Sequence, residues 1–113
     1  MLETFKALAE PHRFEIVELL LQGPRPVGDL VQELRLNQPQ VSKHLRVLTD
    51  AGLVGSRVDA QRRIYALQAA PLRELEAWID RYRCVWEANF QRLDSLLEEM
   101  KTTVEKKHGR RKH

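Results

Sequence analysis

The chain of 113 residues holds a single cysteine, Cys84, and that scarcity removes two function classes at once. No intramolecular disulfide can form. Neither a Cys-x-x-Cys pair nor a Cys/His run offers a structural zinc cage, so the chain reads as cytoplasmic. Long apolar runs are missing too. Nothing approaches the roughly 18 uninterrupted apolar residues of a membrane span, and the first residues lack the basic and apolar regions of a signal peptide. Glycine is scarce, at five residues, and no glycine-rich phosphate loop is among them. With no nucleophile elbow or acid pair either, an enzyme is not expected. Internal repeats and low-complexity segments are also absent, which leaves one domain, residues 1–106, and a basic flexible tail, 107–113.

What is present is enough apolar material for a core: 42% of residues are hydrophobic and 31% charged. A net charge of +3 says little until it is located along the chain. Residues 1–34 carry −3, residues 35–67 carry +4, residues 68–105 carry −3 and residues 106–113 carry +5. The basic surplus is confined to the middle third and the tail.

Apolar spacing predicts two short helices at the start, the second opening at Pro11, holding Phe14, Ile16, Val17, Leu19, Leu20 and Leu21, and ending at Gly23-Pro24. That second helix has the content of a core helix buried on most sides. Val27, Leu30, Val31 and Leu34 make a third helix, stopped near Leu36-Asn37. A fourth begins there, with Asn37 as N-cap, Gln40 in the capping-box position and Pro39 confined to the first turn. Val41, Leu45 and Leu48 line one face of it, while Pro39, Ser42, Lys43, Arg46 and Asp50 point away at 100° per residue. Gly52 ends it. Leu53–Val58 and Arg62–Leu67 read as the two strands of a hairpin.

From Pro71 to Lys106 no helix breaker occurs and a heptad fits, with Leu72, Ile79, Trp86, Leu93 and Met100 at one position and Leu75, Tyr82, Asn89 and Leu96 at the other. So long an apolar helix needs a partner beyond its own domain, and a second copy of the chain is the economical one. The dimer is therefore expected to form through residues 71–106, with Leu75, Ile79, Tyr82, Trp86, Leu93 and Leu96 in the contact.

The fold class expected is mainly α with a small β-hairpin: a winged helix-turn-helix with a long C-terminal dimerisation helix. Two helices joined by a tight turn, the second with a polar, basic outer face, followed by an arginine-rich hairpin, suit double-stranded DNA. Gln38 and Gln40 can pair with adenine edges in the major groove, and Lys43 or Arg46 with guanine or phosphate. Pro39 and Ser42 lie on the same side. Arg57, Arg62 and Arg63 on the hairpin can reach the minor groove or backbone. For His44, at the edge of the apolar face, a phosphate contact and a structural hydrogen bond to a neighbouring element are both open.

The run Leu36-Asn37-Gln38-Pro39-Gln40-Val41-Ser42-Lys43-His44-Leu45-Arg46-Val47-Leu48-Thr49-Asp50-Ala51-Gly52-Leu53-Val54 is preceded by Leu8-Ala9-Glu10-Pro11-His12-Arg13 and followed by Arg62-Arg63-Ile64-Tyr65-Ala66-Leu67. Together these resemble the ArsR/SmtB family of bacterial repressors over roughly residues 2–80. The resemblance implies a homodimer built from the first and last helices, residues 1–10 with Leu2 and Phe5 as well as residues 71–106, binding an operator of imperfect dyad symmetry and blocking transcription. Metal sensors of the family carry a cysteine pair on the third helix, where this chain has Val27-Gly28-Asp29-Leu30-Val31. Another family site uses Asp, His and Glu on the last helix, and residues 71–106 contain no histidine. The chain therefore resembles the branch without metal ligands; no metal, no cofactor and no particular effector is expected. Two alternatives stand beside a DNA-binding repressor: a thiol-responsive regulator using Cys84, flanked by Arg81 and Arg83, and a winged-helix module that docks a protein.

Overall fold

The computed structural model describes the backbone of residues 1–111 and the side chains of residues 1–104. Helix α1 (Leu2–Leu8) turns at Ala9 into α2 (Pro11–Leu21). Glu10 is the N-cap of α2: its carboxylate accepts the Arg13 amide at 2.8 Å, and Pro11 opens the helix where a missing N–H costs nothing. A two-residue strand β1 (Arg25–Pro26) leads into α3 (Val27–Leu34), then α4 (Gln38–Asp50), strands β2 (Val54–Asp59) and β3 (Arg62–Leu67), and the last helix α5 (Ala69–Arg111).

The helical boundaries follow local chemistry. At Asn37 both halves of the expected capping box form: Asn37 Oδ1 accepts the Gln40 amide at 2.9 Å, and Gln40 Oε1 accepts the Asn37 amide at 3.1 Å. Gly52, with φ +77°, ends the helix in a conformation that other residues adopt only with strain. Helix α5 starts two residues earlier than expected, at Ala69, because Pro71 still falls within the first turn, where amides lack intrahelical partners anyway. It also runs to Arg111, so the backbone of the first five residues of the expected tail, 107–111, is helical. The side chains of that tail, and residues 112–113, lie outside the described residues.

The sheet holds three strands in the order β1-β3-β2, all antiparallel. The expected hairpin is present, with Val54 opposite Leu67 and Asp59 opposite Arg62, and β1 adds to its other edge through Arg25 opposite Tyr65. So short a strand has no periodicity to announce it and exists only through that pairing. The loop is two residues, Ala60-Gln61, shorter than the three expected. Ala60 has φ +58° and Gln61 does not share the positive sign, the pattern of a type II′ turn that favours glycine at its first position. Ala60→Gly should therefore stabilise the fold by about 0.5–1 kcal/mol, since the strain relieved exceeds the entropy added to the unfolded chain. A rise of a few degrees in Tm checks it, and an unchanged or lower Tm counts against it.

By backbone contacts the chain divides after Glu76. In the first unit the centre of the core is Ile16, Leu30, Val41, Leu45, Leu48 and Leu53, all effectively sealed from solvent. Helix α2 contributes less than its composition suggests. Ile16 and Leu20 are buried, but Phe14 and Leu21 are 52% and 70% exposed, so it presents one stripe to the core rather than most of its surface. The second unit is the helix from Ala77 onward. There Trp78 and Tyr82 stack tilted at 4.9 Å, and Arg83 pairs with Asp80 at 2.9 Å.

On α5, Leu75, Ile79, Tyr82, Trp86, Phe90, Leu93, Leu97, Met100 and Val104 follow one another in steps of three and four, and from Ile79 on all are exposed in the single chain. Asn89 falls off this stripe. The heptad shifts by a stutter between Trp86 and Phe90, and the apolar line continues along a period closer to that of a straight helix.

Candidate nucleic-acid interface

Helix α4 presents the face the sequence suggested. Val41, Leu45 and Leu48 are buried, while Gln38, Pro39, Gln40, Ser42, Lys43 and Arg46 are exposed. Packing of the apolar face holds the polar one outward. The capping box changes what Gln40 can offer. Its Oε1 is engaged by the Asn37 amide, so its side chain presents an NH₂ donor rather than the donor and acceptor pair that matches adenine. Gln38, one position into the helix, carries no such tie.

The three hairpin arginines are exposed but do not share a face. Register sets Arg57 opposite Ile64 and Arg62 opposite Asp59, on one side of the ribbon, and Arg63 opposite Val58 on the other. Sequence spacing alone grouped them because it carried no register. Among the described residues, Lys43, Arg46, Arg57, Arg62 and Arg63 have no carboxylate partner, so their charge is available to phosphate.

His44 differs from its neighbours. It is half-buried, and its Nδ1 faces inward, 3.6 Å from Glu10 Oε2. The His12 ring lies beside it, with centroids 5.6 Å apart and planes tilted by 45°. Neither His12 Nδ1 nor His44 Nδ1 has a hydrogen-bond partner, although both atoms are buried. Partial burial would raise the Glu10 pKa, but the Arg13 amide and the charges of His44, His12 and Arg13 together hold it below the usual 4.5. Arg13 completes the cluster: its Nε donates to the Ala7 carbonyl at 2.7 Å and its Nη2 to the Lys6 carbonyl at 3.2 Å, capping the end of α1. The sequence does not announce this group. Its one local signal was an acceptor directly before a first-turn proline, and nothing in the sequence linked Glu10 to His44.

Of the residues expected in a dimer contact, Leu2, Ile79, Tyr82, Trp86, Leu93 and Leu96 are exposed, whereas Phe5 and Leu75 are partly buried within the chain. Cys84 is exposed on α5, its Sγ 3.5 Å from the Arg81 carbonyl. Among the described residues no group of three or more His, Cys, Asp or Glu could hold a metal ion. None of the described helices is long and apolar enough to cross a membrane.

Residues 10–56, from the N-cap of α2 to the third residue of β2, match the sequence model of the bacterial regulatory protein arsR family. The HTH-type transcriptional regulator Rv2034 of Mycobacterium tuberculosis is 42% identical over 78 residues, 69% of this chain and 73% of that protein. The chain belongs to the arsR family. As a family member it is a DNA-binding transcriptional regulator and not an enzyme, and solved family structures share its winged helix-turn-helix fold. The solution structure of the homodimeric winged helix-turn-helix DNA-binding domain of Mb0332 from Mycobacterium bovis superposes with a TM-score of 0.60 at 31% identity, covering 69% of this chain and 72% of that one. HlyU from Vibrio cholerae, a transcriptional activator, superposes with a TM-score of 0.62 at 32% identity, covering 74% and 90%.

Proposed function

We propose that this arsR-family chain acts in the cytoplasm as a homodimeric repressor, binding an inverted-repeat operator through α4 and the wing and using no metal site. The observation that carries the DNA contact is the outer face of α4: amides and unpaired cations held outward by a sealed apolar face and by a capping box that fixes where the helix begins. Gln38 and Lys43 take the base edges, with the Gln40 NH₂ as a single donor. Pro39, Ser42 and Arg46 pack against or bond the backbone. A wing that enters a minor groove edge-on meets both walls, so Arg57 and Arg62 on one side and Arg63 on the other suit it.

The dimer follows from the uncovered apolar stripe on α5 and from the homodimeric relative. Repression needs only occupancy of the operator.

Site selection from random DNA at about 150 mM salt tests the reading; recovery of an inverted repeat with half-sites about 10 base pairs apart is the expected result. Binding that is sequence-blind and lost at that salt would instead favour a protein-docking module. Lys43→Ala should cost about 1–3 kcal/mol on the selected site and little on random DNA. Equal losses on both would move Lys43 from base to phosphate.

A further inference from the structure

The Glu10–His44 approach links two places that the DNA contact needs held together. His44 sits on α4 between Lys43 and Leu45, so any rotation of α4 about its axis moves His44 Nδ1 against the Glu10 carboxylate. Glu10 is itself fixed, because its Oε2 caps α2 through the Arg13 amide. The Arg13 side chain is fixed in turn by two carbonyls at the end of α1. A chain of short contacts therefore runs from the last turn of α1, through Arg13 and Glu10, to the middle of α4.

We propose that His44 is a positioning residue that sets the rotation of α4 by donating from Nδ1 to Glu10, and that it does not contact DNA. The charged and titratable groups around the contact are Glu10, His12 and Arg13, all at the start of α2. A bare Nδ1 lone pair facing a carboxylate is repulsive, so the nitrogen that faces Glu10 carries the hydrogen. At 3.6 Å the pair is one small ring rotation from a charge-assisted hydrogen bond. The inference rests on α4 being the DNA-reading helix.

Two near-isosteric substitutions separate the roles, because the Asn side-chain NH₂ can stand where Nδ1 stands and the Gln NH₂ where Nε2 stands. For the full chain on the selected operator and on random DNA of equal length, His44→Asn should keep the ratio of specific to non-specific affinity within about twofold. His44→Gln should reduce it roughly tenfold or more. The reverse ranking would put His44 on the phosphates through Nε2 and overturn the proposal, as would equal loss in both variants with unchanged Tm. Nitrogen-15 spectroscopy of the histidine rings in the wild-type chain gives a reading independent of DNA and of the variants' folding. A hydrogen on His44 Nδ1 at neutral pH is the expected result, and a bare Nδ1 overturns the proposal. Should the wild-type chain select no DNA site, the repressor reading fails while the spectrum still decides the Glu10–His44 contact.

Discussion

Leu93→Glu should convert the chain to a monomer at micromolar concentration and weaken binding to the full operator by about a hundredfold or more, while leaving affinity for an isolated half-site unchanged. The first part follows from the uncovered line on α5. Leu93 is 49% exposed, and Trp86, Phe90, Leu97 and Met100 around it are 43–62% exposed. Soluble monomers rarely leave so continuous an apolar surface to water, and a charge at its centre would have to be desolvated in any paired form. The size of the second effect comes from tethering. Once one half-site is held, the other recognition helix meets its site at a local concentration in the millimolar range, and a monomer forfeits that gain without losing a single base contact. Sedimentation and operator titration at one salt concentration measure both quantities. A Leu93→Glu chain that stays dimeric, or a monomer that keeps full operator affinity, would overturn the account of α5.

How far such statements could be made from the sequence depends on the range of the interaction behind them. The start of α4 was readable because Asn37, Pro39 and Gln40 act within one turn of each other, and both capping hydrogen bonds form. The stripe on α5 was readable because an unbroken helix repeats its face every three or four residues, although a rigid heptad placed Asn89 on a line that the side chains leave at Trp86. Long-range effects were not readable. Strand β1 exists because Arg25 and Pro26 find Tyr65 and Ile64, some forty residues on. The hairpin arginines divide between two faces because of register, which composition does not carry. Helix α2 is apolar on more sides than the core can cover, so its content overstated its burial, with Phe14 and Leu21 left outside. The contact of His44 with Glu10 joins two family motifs far apart in the chain, each of which reads as complete by itself.

Leu45→Ala should cost about 2–5 kcal/mol of folding stability, the range for removing a buried leucine where the surroundings cannot close over the space. Leu45 is 1% exposed and packs in the cluster with Ile16, Leu30, Val41, Leu48 and Leu53, which comes from α2, α3, α4 and the entry to β2. Those elements are held by one another rather than by a single neighbour, so collapse toward the cavity would have to move several of them together. The loss is a large share of a typical domain stability of about 5–15 kcal/mol, and Tm should fall by more than about 10 °C. Leu21→Ala, an equal change in composition at a position 70% exposed on α2, should stay within about 0.5 kcal/mol of the wild type. Both variants must be compared at one protein concentration, because any dimerisation adds to the apparent stability by mass action. Binding separates two consequences of the same cavity. Below its transition Leu45→Ala keeps every side chain on the outer face of α4, so it should bind the operator there. If it fails to bind while still folded, the leucine sets the angle of the helix as well as its stability. If the two substitutions cost the same, the inner face of α4 is not the seat of the fold, and the outward aim of Gln38 and Lys43 loses its physical cause.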